Sequence, residues 1–290
     1  MSAFLEIRDL SARLRGTRER VLRSVSLQVP PGTVRGLVGE SGAGKSMIGK
    51  AVLGVLPRAV VEGEILLEGD DLLKASPATR RRLIGAKTAL VPQDPLTALN
   101  PSRRIGRQVT DRLVDILGWD KARATTRALE MLAEVRIQEP ERVMRLYPHE
   151  LSGGMRQRVL IAAAFAAEPK LIVADEPTTA LDVTVQKQTL RLISELQARH
   201  GTALLFVTHD LGVVAKICDR LSVLYAGKVV EDTSVEKFFA TPAHPYSAAL
   251  LAATPRHTDP TSSLRPVPAA VLDAVGDEIA ATDAAWRPHG

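Results

Sequence analysis

Gly39-Glu-Ser-Gly-Ala-Gly-Lys-Ser46 matches the pattern G-x-x-x-x-G-K-[ST] at every fixed position. Small residues let the backbone curl until successive N–H groups point at one anion. The N-terminus of a following helix adds the positive end of its dipole. Gly39, Glu40, Ser41, Gly42, Ala43 and Gly44 would form such a cradle. Lys45 is spaced to reach the β- and γ-phosphates of a nucleotide such as ATP, and the Ser46 hydroxyl to ligate Mg2+. The flanks agree, because 33–38 reads as a short buried strand and 45–56 as an apolar helix. A chance match in a chain of 290 residues is about a one-in-a-hundred event.

Such a cradle needs an acidic element at the end of another buried strand. Leu171-Ile-Val-Ala-Asp-Glu176 supplies one. Asp175 is placed to hold Mg2+ through its water shell, and Glu176 to polarise the attacking water as a general base. An acidic turn after a strand is common by itself; its pairing with the loop gives it meaning.

Leu151-Ser-Gly-Gly-Met-Arg-Gln-Arg158 narrows the class. Ser152 can cap a helix, and Gly153 and Gly154 bare its first N–H groups to an anion. The segment resembles the signature motif of the ABC ATPases, in which this helix end binds the γ-phosphate held by the opposite subunit. Further elements of that family follow in order. Gln93 resembles the glutamine of the Q-loop, implying contact with Mg2+ and the attacking water and a link to the membrane subunit. Ala180-Leu181-Asp182 resembles the D-loop. His209, in Leu205-Phe-Val-Thr-His-Asp-Leu211, resembles the switch histidine that contacts the γ-phosphate. A histidine at a strand end is more often structural; its place after the acidic strand and one long helix reverses that reading.

The resemblance covers about residues 3–255. It implies an α/β P-loop NTPase with a mainly parallel sheet, an N-terminal antiparallel β subdomain and an α-helical subdomain inserted at about 95–168. The residues themselves read that way. Strands are expected at 4–8, 24–29, 63–67, 87–91, 203–208, 221–225 and 228–231, helices at 105–117, 122–135, 158–167 and 183–200. Alternating strands and helices predict a largely parallel sheet. After about Thr254 the chain is rich in Pro, Ala, Thr and Asp without a period, and 256–290 is expected to be a loosely ordered tail.

Several details are similar to the oligopeptide, dipeptide and nickel importer branch. They are Gln93-Asp-Pro-Leu-Thr-Ala-Leu-Asn-Pro101, Tyr147-Pro-His-Glu-Leu151 before the signature, and His244-Pro-Tyr246 beyond the catalytic core. The last can also be read as a turn before a helix. The resemblance implies import of peptides, or alternatively of nickel, glutathione or another small solute. Implied partners are two membrane-spanning permease subunits, a second homologous ATPase subunit or a second copy of the chain, and an extracytoplasmic solute-binding protein. The chain would then lie at the cytoplasmic face of a prokaryotic inner membrane. Two departures stand out. The early strand around Leu14 lacks the aromatic that usually stacks on adenine. The tail lacks the cysteines that in relatives are proposed to hold an iron–sulfur centre, so no such cluster is expected.

Composition excludes other classes. With 45% hydrophobic and 24% charged residues the chain is globular, and it buries enough apolar surface to need no metal or disulfide staple. The single cysteine, Cys218, excludes an intrachain disulfide or a Cys-based zinc site and suits a reducing compartment. The N-terminal residues have neither the basic start nor the apolar stretch of a secretory leader. The longest apolar run, 159–167, is far short of the ~20 residues a membrane span needs. The net charge of +5 is spread along the chain, and Arg80-Arg81-Arg82 after Ser76-Pro77 reads as an exposed helix face rather than a nucleic-acid site. Nucleic-acid ATPases of related chemistry separate the two motif halves by coiled coils. Here Ser46 and Ser152 are 106 positions apart with no sustained heptads.

Overall fold

The computed structural model describes residues 3–17, 19–56, 59–178, 182–254 and 266–286. In chain order the elements are β1 (Leu5–Leu14), β2 (Arg20–Val29), β3 (Val34–Val38), α1 (Lys45–Val52), β4 (Ala59–Leu67), β5 (Asp70–Asp71), α2 (Pro77–Lys87), β6 (Thr88–Val91), α3 (Pro95–Ala98), α4 (Ile105–Asp115), α5 (Lys121–Glu134) and α6 (Pro140–Val143). They continue as α7 (Gly153–Ala166), β7 (Leu171–Asp175), α8 (Val183–His200), β8 (Ala203–Val207), α9 (Leu211–Ile217), β9 (Arg220–Tyr225), β10 (Lys228–Ser234), α10 (Val235–Ala240), α11 (Pro245–Ala253) and α12 (Ala269–Ala285). One compact unit is built from Met1–Pro30, Val34–Ala75 and Phe206–Gly290, the other from Pro31–Thr33 and Ser76–Leu205.

In the first unit β2, β1, β4 and β5 form an antiparallel sheet in that order. β1 and β2 outrun the expected windows 4–8 and 24–29. Asp9 and Ser24 take positive φ, +48° and +46°, and the pairing register shifts after Ile7. Such bulges break the period of two on which a strand is read. A second strand group runs β10, β9, β3, with β9 antiparallel to β10 and parallel to β3. The end of β8 joins it, where the Thr208 N–H donates to the Leu37 carbonyl (3.1 Å). Every residue of β3 is buried. Arg35 among them donates to Ser222 Oγ (2.9 Å) and pairs with Asp232. Burial lowers the pKa of its guanidinium while the Asp232 charge works against that.

Beneath the end of β3 lies a core of Val38, Leu211, Val214, Leu221, Val223, Phe238, Tyr246 and Val275. Val275 belongs to α12, which corrects the expectation of a loosely ordered tail over its described part. Val271, Val275 and Ile279 recur every four residues and so share one face of α12, with Val267 just before its N-cap Pro268. Val275 is 1% and Ile279 9% exposed, and the other two pack on the same cluster. The Ala and Asp between them diluted this stripe below what composition reveals.

In the second unit β8, β7 and β6 adjoin in that order, β7 and β6 parallel with Val91 opposite Ala174. α4, α5 and α7 pack together, and Val109, Leu113, Ala128, Leu132, Val159 and Ile161 on them are buried. Ser76 caps α2 by accepting from the Thr79 N–H (3.3 Å), and no residue of that helix is buried, as a solvated basic face requires. Among the described residues no helix is long and apolar enough to cross a membrane.

Candidate active site

β3, buried throughout, delivers the chain into the loop 39–46. Gly39 turns at φ +149°, and a Cβ there would collide with the Leu224 carbonyl oxygen. The Ala43 N–H closes a turn on the Glu40 carbonyl (3.2 Å), and Gly44, left-handed at φ +98°, starts α1. Lys45 is 5% exposed. Its Nζ folds back and donates to the Gly39 and Glu40 carbonyls, both at 2.9 Å. Ser46 follows in the first turn of α1, while Glu40, Ser41 and Gly42 form the exposed rim. Replacing Gly39 by Ala is expected to lower unfolding stability by roughly 2–4 kcal/mol, since the collision is with backbone and the new residue cannot relax from positive φ. Urea denaturation checks this.

His209 is exposed just past β8. Thr208 Oγ1 accepts from the Asp210 N–H (3.0 Å), and Asp210 caps α9 by accepting from the N–H groups of Gly212 (2.8 Å) and Val213 (3.2 Å). Because Thr208 pairs with Leu37, His209 leaves the same strand edge from which the loop leaves.

The second unit brings Gln93, Asp175 and Glu176 to one edge. Parallel pairing of Val91 with Ala174 sets the residues two positions on, Gln93 and Glu176, side by side. Gln93 Nε2 donates to Glu176 Oε2 at 3.2 Å. Asp175 is the last residue of β7. Glu176 takes φ +45°, a left-handed conformation that a non-glycine residue keeps only where its surroundings enforce it, often at functional positions. Gln157, absent from the sequence-based reading, is 1% exposed and donates through Nε2 to the Pro177 carbonyl (2.9 Å). It ties the signature helix to the turn after the acidic pair. No local pattern marks such a long-range contact.

Ser152 caps α7 by accepting from the Met155 N–H (3.3 Å). Gly153 and Gly154 have ordinary helical φ. A Cβ at Gly153 would meet nothing within 4 Å, and one at Gly154 only Val185 Cγ1 at 3.9 Å. Among the described residues nothing crowds these two positions, so the first turn of α7 is bare of side chains there. Ala180 and Leu181 lie outside the described residues, and Asp182 caps α8 by accepting from the Thr184 and Val185 N–H groups (3.0 and 2.9 Å).

Residues 22–179 match the model of the ABC transporter family. The chain is 47% identical over 274 residues to a probable peptide ABC transporter ATP-binding protein of Sinorhizobium fredii, covering 92% of this chain and 82% of that one. It is 44% identical to the oligopeptide transport ATP-binding protein of Bacillus subtilis, covering 88% and 73%. The chain belongs to the ABC transporter family. Its fold is that of the ABC ATPases. A dimeric ATP-binding cassette solved in a post-hydrolysis state with ADP and phosphate superposes with TM-score 0.70 at 26% identity, covering 80% of this chain and 98% of that one. The cbiO1 subunit of a Clostridium perfringens ABC transporter complex gives TM-score 0.72 at 25% identity, covering 83% and 92%.

This ABC ATPase binds and hydrolyses ATP as the ATP-binding subunit of a transporter complex. Its donor set suits a triphosphate with a hard cation. Among the described residues no cluster of three or more His, Cys, Asp or Glu could hold a metal alone. The Ser46 hydroxyl and the Gln93 and Asp175 side-chain oxygens are hard donors of the kind that suit Mg2+ beside water and substrate phosphates. Leu14, expected at the adenine-stacking position, ends β1 half-buried and offers no aromatic face.

Proposed function

We propose that this ATPase energises peptide import at the cytoplasmic face of a prokaryotic inner membrane. On this reading it works beneath two membrane-spanning permease subunits, beside a homologous ATPase subunit or a second copy of itself. The similarity to peptide-transport subunits over about nine-tenths of the chain carries the reading. An extracytoplasmic solute-binding protein would then select the cargo.

The residues take these roles. Loop 39–46 holds the phosphates, Lys45 neutralising their charge and Ser46, Gln93 and Asp175 serving Mg2+, which when bound supplies charge neutralisation between phosphate oxygens. Glu176 accepts the proton of the attacking water. Gln93, hydrogen-bonded to that carboxylate, orients the water. His209 contacts the γ-phosphate. Ser152, Gly153 and Gly154 close on the nucleotide of the facing subunit.

The segment after Gln93 supports coupling to a membrane partner, with 95–168 as the inserted helical subdomain. Leu96 on α3 is 64% exposed. Gln108 of α4 ties the segment down, accepting from the Asn100 N–H (2.8 Å) and donating to the Asn100 and Arg103 carbonyls. α4, α5 and α6 in turn line a groove of about 610 Å³ that includes Thr110, Val114, Leu129 and Met144. Movement of α4 at this groove would thus be passed to Asn100 and Arg103, in the segment that follows Gln93.

Affinity purification of the tagged chain from its own cells with MgATP tests the reading. Two multi-span membrane proteins, a sister ATPase and a peptide-loaded binding protein should accompany it. A binding protein loaded with nickel or glutathione would replace the peptide; nucleic acid or ribosomes with no membrane protein would overturn transport.

A further inference from the structure

Three segments of the first unit meet almost backbone to backbone, the phosphate loop, the start of β2 and the β9–β10 turn, with Leu22 Cδ2 the one side-chain atom among the nearest neighbours of Gly44. The Gly227 N–H donates to the Ala43 carbonyl at 2.8 Å. A Cβ on Gly44 would come within 3.1 Å of the Val21 oxygen and 3.3 Å of Gly227 Cα, and one on Gly227 would collide with the Val21 oxygen. The loop therefore takes its shape from the turn 224–227. That turn is held from its far side. The Arg23 N–H donates to the Gly227 carbonyl (2.8 Å), and Arg23 Nη1 to the Ala226 carbonyl (2.5 Å).

Asp283 of α12 grips the same guanidinium with both oxygens. Arg23 Nε lies 2.9 Å from Oδ1 and Nη2 2.9 Å from Oδ2, and Arg20 Nη1 adds a contact at 3.2 Å. The Arg23 side chain is 11% exposed. A two-pronged pair on a nearly buried arginine is the strong kind, unlike an exposed ion pair. Further back on α12, Glu278 takes Lys228 Nζ (3.4 Å) and His244 Nε2 (3.2 Å). His244 Nδ1 accepts from the Tyr246 N–H (3.1 Å), so the ring proton sits on Nε2 and is donated to Glu278. Tyr246 is fully buried, its ring 4.9 Å from that of Tyr225 in the turn. Burial works against the Asp283 charge, but Arg23 and Arg20 outweigh it and keep the carboxyl below the usual range. The hydrogen bond from His244 and then Lys228 do the same for Glu278 against burial.

We propose that α12 is a positioning element for the phosphate loop. Asp283 acts through Arg23, and Glu278 through Lys228 and His244, holding the β9–β10 turn against the loop. The His244-Pro-Tyr246 segment thereby links α12 to the aromatic packing beneath the turn. The inference rests on loop 39–46 holding ATP phosphates.

The test uses the full-length chain. Asp283→Asn keeps the shape and loses the charge. It should raise KM for MgATP about tenfold, with kcat within about twofold. Asp283→Glu should recover most of that affinity. Amide exchange at 40–46 and 225–228, without nucleotide, should quicken in the Asn variant. Glu278→Gln should show a smaller shift of the same kind and serves if the first variant fails to fold. Unchanged exchange at 40–46 with unchanged KM would reduce α12 to a cover over the core and overturn the proposal. A fall in kcat at constant KM would overturn it too. Exchange in the wild type separates the two levels: if MgATP fails to protect 39–46, the nucleotide reading fails, and if only the variants behave like wild type, the positioning role alone fails.

Discussion

Replacing Glu176 by Gln should cut ATP turnover by about 10²–10⁴-fold while leaving ATP binding intact. The amide matches the carboxylate in shape and can still accept the hydrogen bond that Gln93 Nε2 now gives to Oε2 at 3.2 Å. It cannot take a proton from water. The backbone at φ +45° is equally open to both residues, so the loop after β7 should not move. ATP would then be held without being consumed, and the variant should accumulate as a closed dimer. Phosphate release under steady-state conditions and gel filtration with MgATP measure the two halves. Turnover within threefold of wild type would assign the base elsewhere.

Lys45→Ala should lower MgATP affinity by about 10–100-fold, the loss expected when a charge-assisted contact of about 1.5–3 kcal/mol disappears. In the chain alone Nζ is already occupied by the Gly39 and Glu40 carbonyls. The lysine therefore organises the loop before it meets phosphate, and its removal leaves two carbonyl oxygens without that donor. Two losses then superpose, and Lys45→Arg separates them: it keeps the charge but not the compact ammonium that fits the turn. Binding of a fluorescent nucleotide gives the affinity. An unchanged dissociation constant for Lys45→Ala would sink the cradle reading.

The sequence-readable part of this protein is the part whose spacing the chemistry dictates. A phosphate cradle must present Gly39, Gly44, Lys45 and Ser46 on consecutive backbone, so it survives as a contiguous motif. The acidic pair after β7 and the cap before α7 are local in the same way. Contacts between distant residues left no such trace. Gln157 reaches Pro177 across 20 positions, and Arg23 reaches Asp283 across 260. β1 and β2 were legible only up to Asp9 and Ser24, where positive φ interrupts the alternation. α12 hid because valines four apart among Ala and Asp resemble a polar, low-complexity stretch. The positive φ of Glu176 belongs to the turn it sits in, which residue type does not report.

The first unit joins residues before 76 to residues after 205, and its core draws Val38 from one side and Val275 from the other. On the ribosome these arrive far apart in time, at about 5–20 residues per second. Apart from 31–33, the second unit is one uninterrupted stretch, 76–205, and all of it has been made before β9 begins. It can collapse early. The phosphate loop, synthesised near the start, has to wait for the turn at 224–227 and then for Arg23 to find Asp283. A nascent chain halted before residue 275 would carry a complete loop sequence on an unfinished support, so the loop near the start of the chain would take its final geometry only once α12 has been made.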